Sequence, residues 1–187
     1  MSNFNFRTTL SIRGRRNEGL RGFSGKPSHP PLTDIPVAAY LFVAVFDMLS
    51  LALYDGNPQV GLELYRAATW VLLGGAAVSL LTALTGFLDW VNTPRGTELR
   101  RTANAHAATM ITVTVLVLVD LVLRLTIYRD EEYSEPAVVF VSVVAGLLTL
   151  LGAAIGGSLV YDHGMRVENS EAAGRDSSAA DKRPAQG

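Results

Sequence analysis

Four long apolar stretches separated by polar segments dominate this sequence of 187 residues. They cover residues 37–53, 67–88, 107–119 and 137–160, and the first of them contains a single charge, Asp47. An α-helix rises 1.5 Å per residue, so about 20 apolar residues cross a hydrocarbon core of ~30 Å. Each stretch, the third with its flanks included, is therefore long enough to span a lipid bilayer.

The pattern within the stretches favours helices over strands. In lipid only helices and closed barrels satisfy their own backbone hydrogen bonds, and the period-two alternation of barrel strands is missing here. The second and fourth stretches also lack the polar face that a helix in a water-soluble bundle shows. The sequence therefore predicts an all-α fold, a four-helix transmembrane bundle with spans at about 36–54, 67–90, 103–127 and 137–161.

Lysine and arginine residues are concentrated in alternate segments, which predicts the orientation. Those on one side are Arg7, Arg13, Arg15, Arg16, Arg21, Lys26, Arg95, Arg100, Arg101, Arg166, Arg175, Lys182 and Arg183. The two segments on the other side contain only Arg66 and Arg129, among six acidic residues. Because positive charges are retained in the cytoplasm, we expect both termini to be cytoplasmic. Residues 1–26 and 167–187 are expected to be disordered, the first as a basic arm, leaving 27–166 as the membrane domain.

Composition excludes several classes of function. The chain has no cysteine, which excludes disulfides, thiolate-bound zinc and a cysteine nucleophile. Its formal net charge of −1 does not suit a nucleic-acid-binding protein. Neither a serine–histidine–aspartate arrangement nor a phosphate-binding glycine loop is apparent, so the chemistry of soluble hydrolases is not indicated.

Small residues in the second and fourth stretches predict close contact between helices. Gly152 and Gly156 have the GxxxG spacing, and Gly74 and Gly75 lie in the second stretch. Two interpretations remain open: contact between neighbouring helices of one chain, and a homodimer formed through the fourth helix.

All three histidines of the chain are predicted to lie on the cytoplasmic side, near the ends of three different spans. Two carboxylates accompany them, and the full set is His29, Asp34, Asp89, His106 and His163. Imidazoles and carboxylates that converge in this way could bind iron or zinc, and two histidines facing each other could ligate a haem axially. The alternative is that each side chain caps a helix end or contacts a lipid headgroup.

Three further charges fall within the predicted spans. Asp120 and Arg124 are four residues apart on one helical face, so we expect them to form an ion pair. Asp47 is costly in lipid unless it is protonated or paired. A hydrogen-bonded packing residue and a proton relay are both open interpretations of Asp47, and the latter would make the protein a small proton conductor.

Four short motifs carry a resemblance to a known family. They are GKPSHPPLTDIP before the first span, LTGFLDW at the end of the second, RRTANAHA at the start of the third and GGSLVYDHG at the end of the fourth. Their order and placement resemble those of the bacterial DUF2231 membrane proteins, four-span proteins of unknown function, over about Gly25 to Val167. The family usually has a second histidine where this chain has Asp34, and an asparagine where it has Met110.

The resemblance implies that His29, Asp89, His106 and His163 are landmark positions. Some members of the family are joined to Rieske-type iron–sulfur domains, which implies an association with electron transfer. We therefore expect a bacterial inner-membrane protein in contact with the lipid bilayer, with iron, zinc or haem b bound by His29, His106 and His163 and, for a metal ion, also by Asp34 and Asp89. Its partner would be a separate redox protein. The rival hypothesis is a non-catalytic subunit of a larger membrane complex.

Overall fold

The computed structural model of the protein describes residues 28–165 and 167 and contains four long helices. They are α1 (His29–Leu53), α2 (Pro58–Val91), α3 (Glu98–Val122) and α4 (Pro136–Tyr161), and a π-helix (Leu123–Ile127) continues α3. Short connections reverse the chain between helices. We call the end at which α1 and α3 begin the histidine end, and the end at which they finish the arginine end.

The all-α prediction and the four spans are confirmed. All four helices are long and apolar enough to cross a membrane. Large apolar side chains cover the outside of the bundle, as Trp70 and Phe140 do at 72% and 71% exposure. The interior is a core of small and branched side chains, which consists of Ala39, Tyr40, Val43, Ala68, Leu72, Val113, Val117, Leu121 and Ala145. A bundle with such an exterior is a membrane protein in contact with lipid.

Helix α1 begins earlier than the first span predicted at about 36–54. The helix begins at His29, with prolines in its first turn, and so includes the whole of HPPLTDIP. Proline suits a first turn because the N–H group that it lacks would have no partner within the helix. The segment HPPLTDIP therefore forms the first two turns of α1, ahead of the predicted span.

Pro36 lies inside α1 and removes one hydrogen bond from the helix. The carbonyl that it leaves without its helical partner belongs to Leu32, four residues earlier. The hydroxyl of Thr82 on α2 lies 3.1 Å from that carbonyl and 3.1 Å from the carbonyl of Val78, so its one proton is shared between the two acceptors. A side chain of the neighbouring helix thus supplies a hydrogen-bond donor to the carbonyl that the proline leaves without one.

Helices α2 and α3 also begin earlier than predicted, at Pro58 and Glu98. Local capping explains the extension beyond the apolar residues. The side chain of Asn57 accepts a hydrogen bond from the backbone N–H of Val60, and Thr97 does the same for Arg100. The apolar runs mark where lipid begins, whereas these caps mark where the helices begin.

The GxxxG glycines of α4 pack against α3 of the same chain, as the first of the two interpretations predicted. A Cβ atom added at Gly152 would lie 2.5 Å from Sδ of Met110, and one at Gly156 would lie 3.2 Å from Cε1 of His106. Gly75 of α2 faces α1, since its added Cβ would lie 2.7 Å from Cβ of Ala39. Because these glycines have no side chains, α4 lies close to α3 and α2 lies close to α1 within the one chain.

Candidate functional site

His29 is fixed by a polar face of α2. Its Nδ1 lies 3.0 Å from the carbonyl oxygen of Thr82 and 3.2 Å from Oγ1 of Thr85. Thr82, Thr85 and Asp89 are three and four residues apart and buried, so they form one face of α2 directed into the bundle. Gly86 makes room for the ring, because an added Cβ would lie 2.7 Å from Cε1 of His29.

His106 is fixed in the same way by α4. Its Nδ1 lies 2.9 Å from the carbonyl oxygen of Gly152, and its ring packs against Gly156. The glycines predicted as a helix-packing motif therefore also position this imidazole.

The partners of the two rings define their tautomers. A carbonyl oxygen only accepts hydrogen bonds, so Nδ1 of His29 and of His106 must each carry the proton. In a neutral ring the lone pair then belongs to Nε2. Anchoring of Nδ1–H by a backbone carbonyl is the arrangement that usually orients a metal-binding histidine.

The structure brings the rings of His29 and His106 together. Their centroids are 6.5 Å apart, with the planes almost perpendicular at 85°. The carboxylate of Asp89 interacts electrostatically with His29, and Asp89 is only 7% exposed. Two imidazoles and one carboxylate, supplied by α1, α2 and α3, thus share the histidine end.

The other two predicted site residues lie apart from this pair. Asp34 is exposed on α1, five residues and therefore about 140° around the helix from His29. His163 follows α4, and its Nε2 lies 3.0 Å from Oγ1 of Thr102. Within residues 28–165 and 167, no three His, Cys, Asp or Glu side chains are grouped closely enough to hold a metal ion. The five predicted ligands therefore do not form one shell.

The separation of the two imidazoles can be compared with that of a pair bound to one metal ion. Metal–nitrogen bonds of about 2.0–2.1 Å place two rings on opposite sides of one ion with centroids roughly 6 Å apart. The observed separation of 6.5 Å is close to that value.

A second polar cluster lies at the arginine end, where Arg124 is completely buried between two carboxylates. Its Nε donates to Oδ1 of Asp120 at 2.8 Å, and its Nη2 donates to Oδ2 of Asp47. The side chains of Arg124 and Asp47 are 0% exposed and that of Asp120 is 2% exposed. The predicted Asp120–Arg124 pair is confirmed, and Asp47, which sequence left without a partner, joins it.

Hydroxyl groups extend this cluster. Ser134 donates to Oδ1 of Asp47 at 2.7 Å, and its backbone N–H donates to Ser50, whose hydroxyl donates to the carbonyl of Gly61 at 2.7 Å. Nη1 of Arg124 donates to Thr69 at 3.3 Å. Sequence analysis did not identify these hydroxyl groups, because a serine or threonine in an apolar run carries no sign of its partner.

Arg124 reaches the bundle interior from the π-helix. The N–H of Tyr128 donates to the carbonyl of Leu123, five residues earlier, at 2.8 Å. Tyr65 stabilises this turn, since its hydroxyl donates to the carbonyl of Tyr128 at 2.6 Å while its ring faces Arg124 at 5.5 Å. Single π-helical turns within α-helices are frequent at functional sites.

Outside the spans, two tyrosines stack beside the arginine end. The rings of Tyr54 and Tyr133 are 4.4 Å apart, and the hydroxyl of Tyr54 donates to Oε2 of Glu132 at 2.8 Å. That hydrogen bond raises the pKa of Tyr54, because the carboxylate favours the protonated phenol. A hydrogen bond to Glu135 raises the pKa of Tyr133 in the same way.

Comparison with known proteins identifies one family. The model of the DUF2231 family, described as a predicted membrane protein, matches residues 25–169. No curated protein and no solved structure matches the sequence significantly. The matched range contains all four helices together with His29 and His106. The chain therefore belongs to the DUF2231 family of predicted membrane proteins.

Proposed function

We propose that this protein binds a metal ion or a haem at the histidine end through Nε2 of His29 and of His106, for electron transfer at the membrane. The observation that carries the proposal is the pair of imidazoles, each anchored at Nδ1 by a backbone carbonyl, with ring centroids 6.5 Å apart. A redox-active iron held there would carry one electron at a time.

The role of the surrounding residues is positional. Thr82 and Gly152 hold the two rings in one tautomer, and Gly86 and Gly156 leave room for them. Asp89 places negative charge beside His29, which would offset the charge of a bound cation. The redox role rests further on the resemblance to relatives that carry a Rieske-type domain.

The proposal is tested by absorption spectroscopy of the detergent-purified protein under oxidising and reducing conditions. We expect a chromophore that changes on reduction and is lost in His29→Asn and in His106→Asn. Asparagine keeps an N–H donor near the position of Nδ1 and removes the Nε2 ligand, so the packing contact survives. His163→Asn is the matched control and should leave the spectrum unchanged.

A second candidate is a structural subunit of a larger membrane complex. The observation that favours it is that both rings tie one helix to the next, His29 joining α1 to α2 and His106 joining α3 to α4. In that case His29→Asn would keep the stability of the wild type and its copurifying partner proteins, whereas His29→Ala would lower the stability. Neither the wild type nor the variants would contain metal or haem.

We also propose that both termini and the histidine end face the cytoplasm of a bacterial inner membrane. The bias of lysine and arginine supports this orientation. Because the chain has no cysteine, single cysteines report their own side of the membrane without further changes. An impermeant thiol reagent on intact cells should label Glu131→Cys and spare Asn92→Cys, and the reverse pattern would overturn the orientation.

A further inference from the structure

The buried cluster at the arginine end has an unequal number of charges. One guanidinium, Arg124, faces two carboxyl groups, Asp47 and Asp120, and all three side chains are at least 98% buried. The remaining titratable side chain packed there is Tyr65 of α2. Helix α4 has no Asp, Glu, Lys, Arg or His between residues 136 and 161. Full ionisation would therefore leave a net negative charge in a low-dielectric interior, which is strongly unfavourable.

The hydrogen bonds distinguish the two carboxyl groups. Both oxygens of Asp47 have a donor, Ser134 at 2.7 Å on Oδ1 and Arg124 on Oδ2. Asp120 has a short bond only at Oδ1, because its Oδ2 lies 3.4 Å from an Arg124 nitrogen that is shared with Asp47. Donors stabilise a carboxylate, so Asp120, which has fewer close donors, is the better placed of the two to accept a proton.

A cavity lies beside the cluster, on the other side of Tyr65. It has a volume of about 260 Å³ and is lined by Leu62, Tyr65 and Arg66 of α2 and by residues 129–132 of the connection after the π-helix. Tyr65 also contacts Arg124 with its ring, so it separates the cavity from the buried charges. The charged groups on the cavity side are Arg66, Arg129, Asp130, Glu131 and Glu132.

We propose that the Asp47–Arg124–Asp120 cluster is a proton-binding site, in which Asp120 takes up one proton from the water of the cavity beside Tyr65. One O–H bond forms at Oδ2 of Asp120, and hydroxide stays in the water that supplied the proton. Arg124 remains a guanidinium paired with the carboxylate of Asp47. This site is independent of any cofactor at the histidine end.

Infrared spectroscopy of the full-length protein at neutral pH tests the proposal. We expect the absorption band of one protonated carboxyl group, which moves to lower frequency in heavy water. The band should disappear in Asp120→Asn. It should also disappear in Asp47→Asn. In that variant the negative charge of Asp120 is balanced by the positive charge of Arg124, so Asp120 needs no proton. Asp34→Asn, which changes an exposed carboxyl group, is the control and should keep the band.

Two conservative variants assign the proton. Asp120→Glu retains the acid and should move the band, whereas Asp47→Glu should leave its frequency unchanged. A wild-type spectrum without a protonated carboxyl band would overturn the proposal, and so would a band that survives Asp120→Asn. A band that moves only in Asp47→Glu would overturn the assignment to Asp120.

Discussion

The two ends of the bundle differ in how their polar side chains are satisfied. At the histidine end, His29 and His106 each use Nδ1 for a backbone carbonyl, which assigns the lone pair to Nε2. At the arginine end, all three side-chain nitrogens of Arg124 donate to oxygen atoms inside the bundle. The first arrangement is the basis of the proposed ligand site, whereas in the second the charged groups bind one another.

The largest expected loss of stability comes from removing Arg124 from the buried cluster at the arginine end. Arg124→Met leaves Asp47 and Asp120 buried without a cation, and we expect the free energy of unfolding to fall by about 3–5 kcal/mol. Arg129→Met removes an exposed arginine beside the cavity and should change it by less than about 0.5 kcal/mol. Denaturant unfolding in detergent measures both variants. Equal losses of unfolding free energy in the two variants would show that the buried ion pairs stabilise the protein no more than an exposed arginine does.

A methyl group at the histidine end should disturb the packing of His29. The Cβ of Gly86→Ala would lie 2.7 Å from Cε1 of His29, so the ring must move away from Thr82. We expect a loss of about 1–3 kcal/mol in the free energy of unfolding. Gly74→Ala is the matched control, because nothing lies within 4 Å of its added Cβ. A thermal-shift comparison in which Gly86→Ala is as stable as the control contradicts the packing described here.

Loss of the Thr82 hydroxyl, which donates to the carbonyl left open by Pro36, should lower the free energy of unfolding by a smaller amount. A second substitution should restore it. Thr82→Val leaves the carbonyl of Leu32 without its donor, at an expected cost of about 1–2 kcal/mol. The second change Pro36→Ala restores a backbone N–H four residues after Leu32 and should recover most of that loss. A double-mutant cycle measured by unfolding tests the coupling, and strictly additive losses would refute it.

The smallest effect is a shift in the pKa of Tyr54, a half-buried tyrosine outside the spans. The pKa of Tyr54 is raised by Glu132, so Glu132→Gln should return it towards its ordinary value of about 10. The stabilisation from this hydrogen bond is present below pH ~10 and is lost as the pH rises through the raised pKa. Ultraviolet titration measures the change, with Tyr54→Phe identifying the signal. Glu135→Gln, which acts on Tyr133, should leave the pKa of Tyr54 raised.

Sequence was sufficient for the fold because lipid imposes the strongest constraint on it. Continuous apolar runs placed all four helices, and α4 agrees with its predicted span within one residue. The starts of α1, α2 and α3 were missed, since the prolines and the capping residues Asn57 and Thr97 extend the helices beyond the apolar runs.

The sites were only partly predictable. Spacing of four residues identified the Asp120–Arg124 pair, because both lie on one helix. Pairing of Asp47 with Arg124 depends on how α1 and α3 are rotated against each other, and so does the separation of His29 and His106. Sequence placed the histidines at one end but contained no information on which of them would meet.

The most direct test of the ligand site at the histidine end is elemental analysis by plasma mass spectrometry, with haem extraction, on protein purified without chelators. We predict close to one iron or haem per folded chain, lost in the double variant His29→Asn, His106→Asn and retained in His163→Asn. A folded wild-type protein without metal or haem, or a double variant that keeps its full content, would contradict the site.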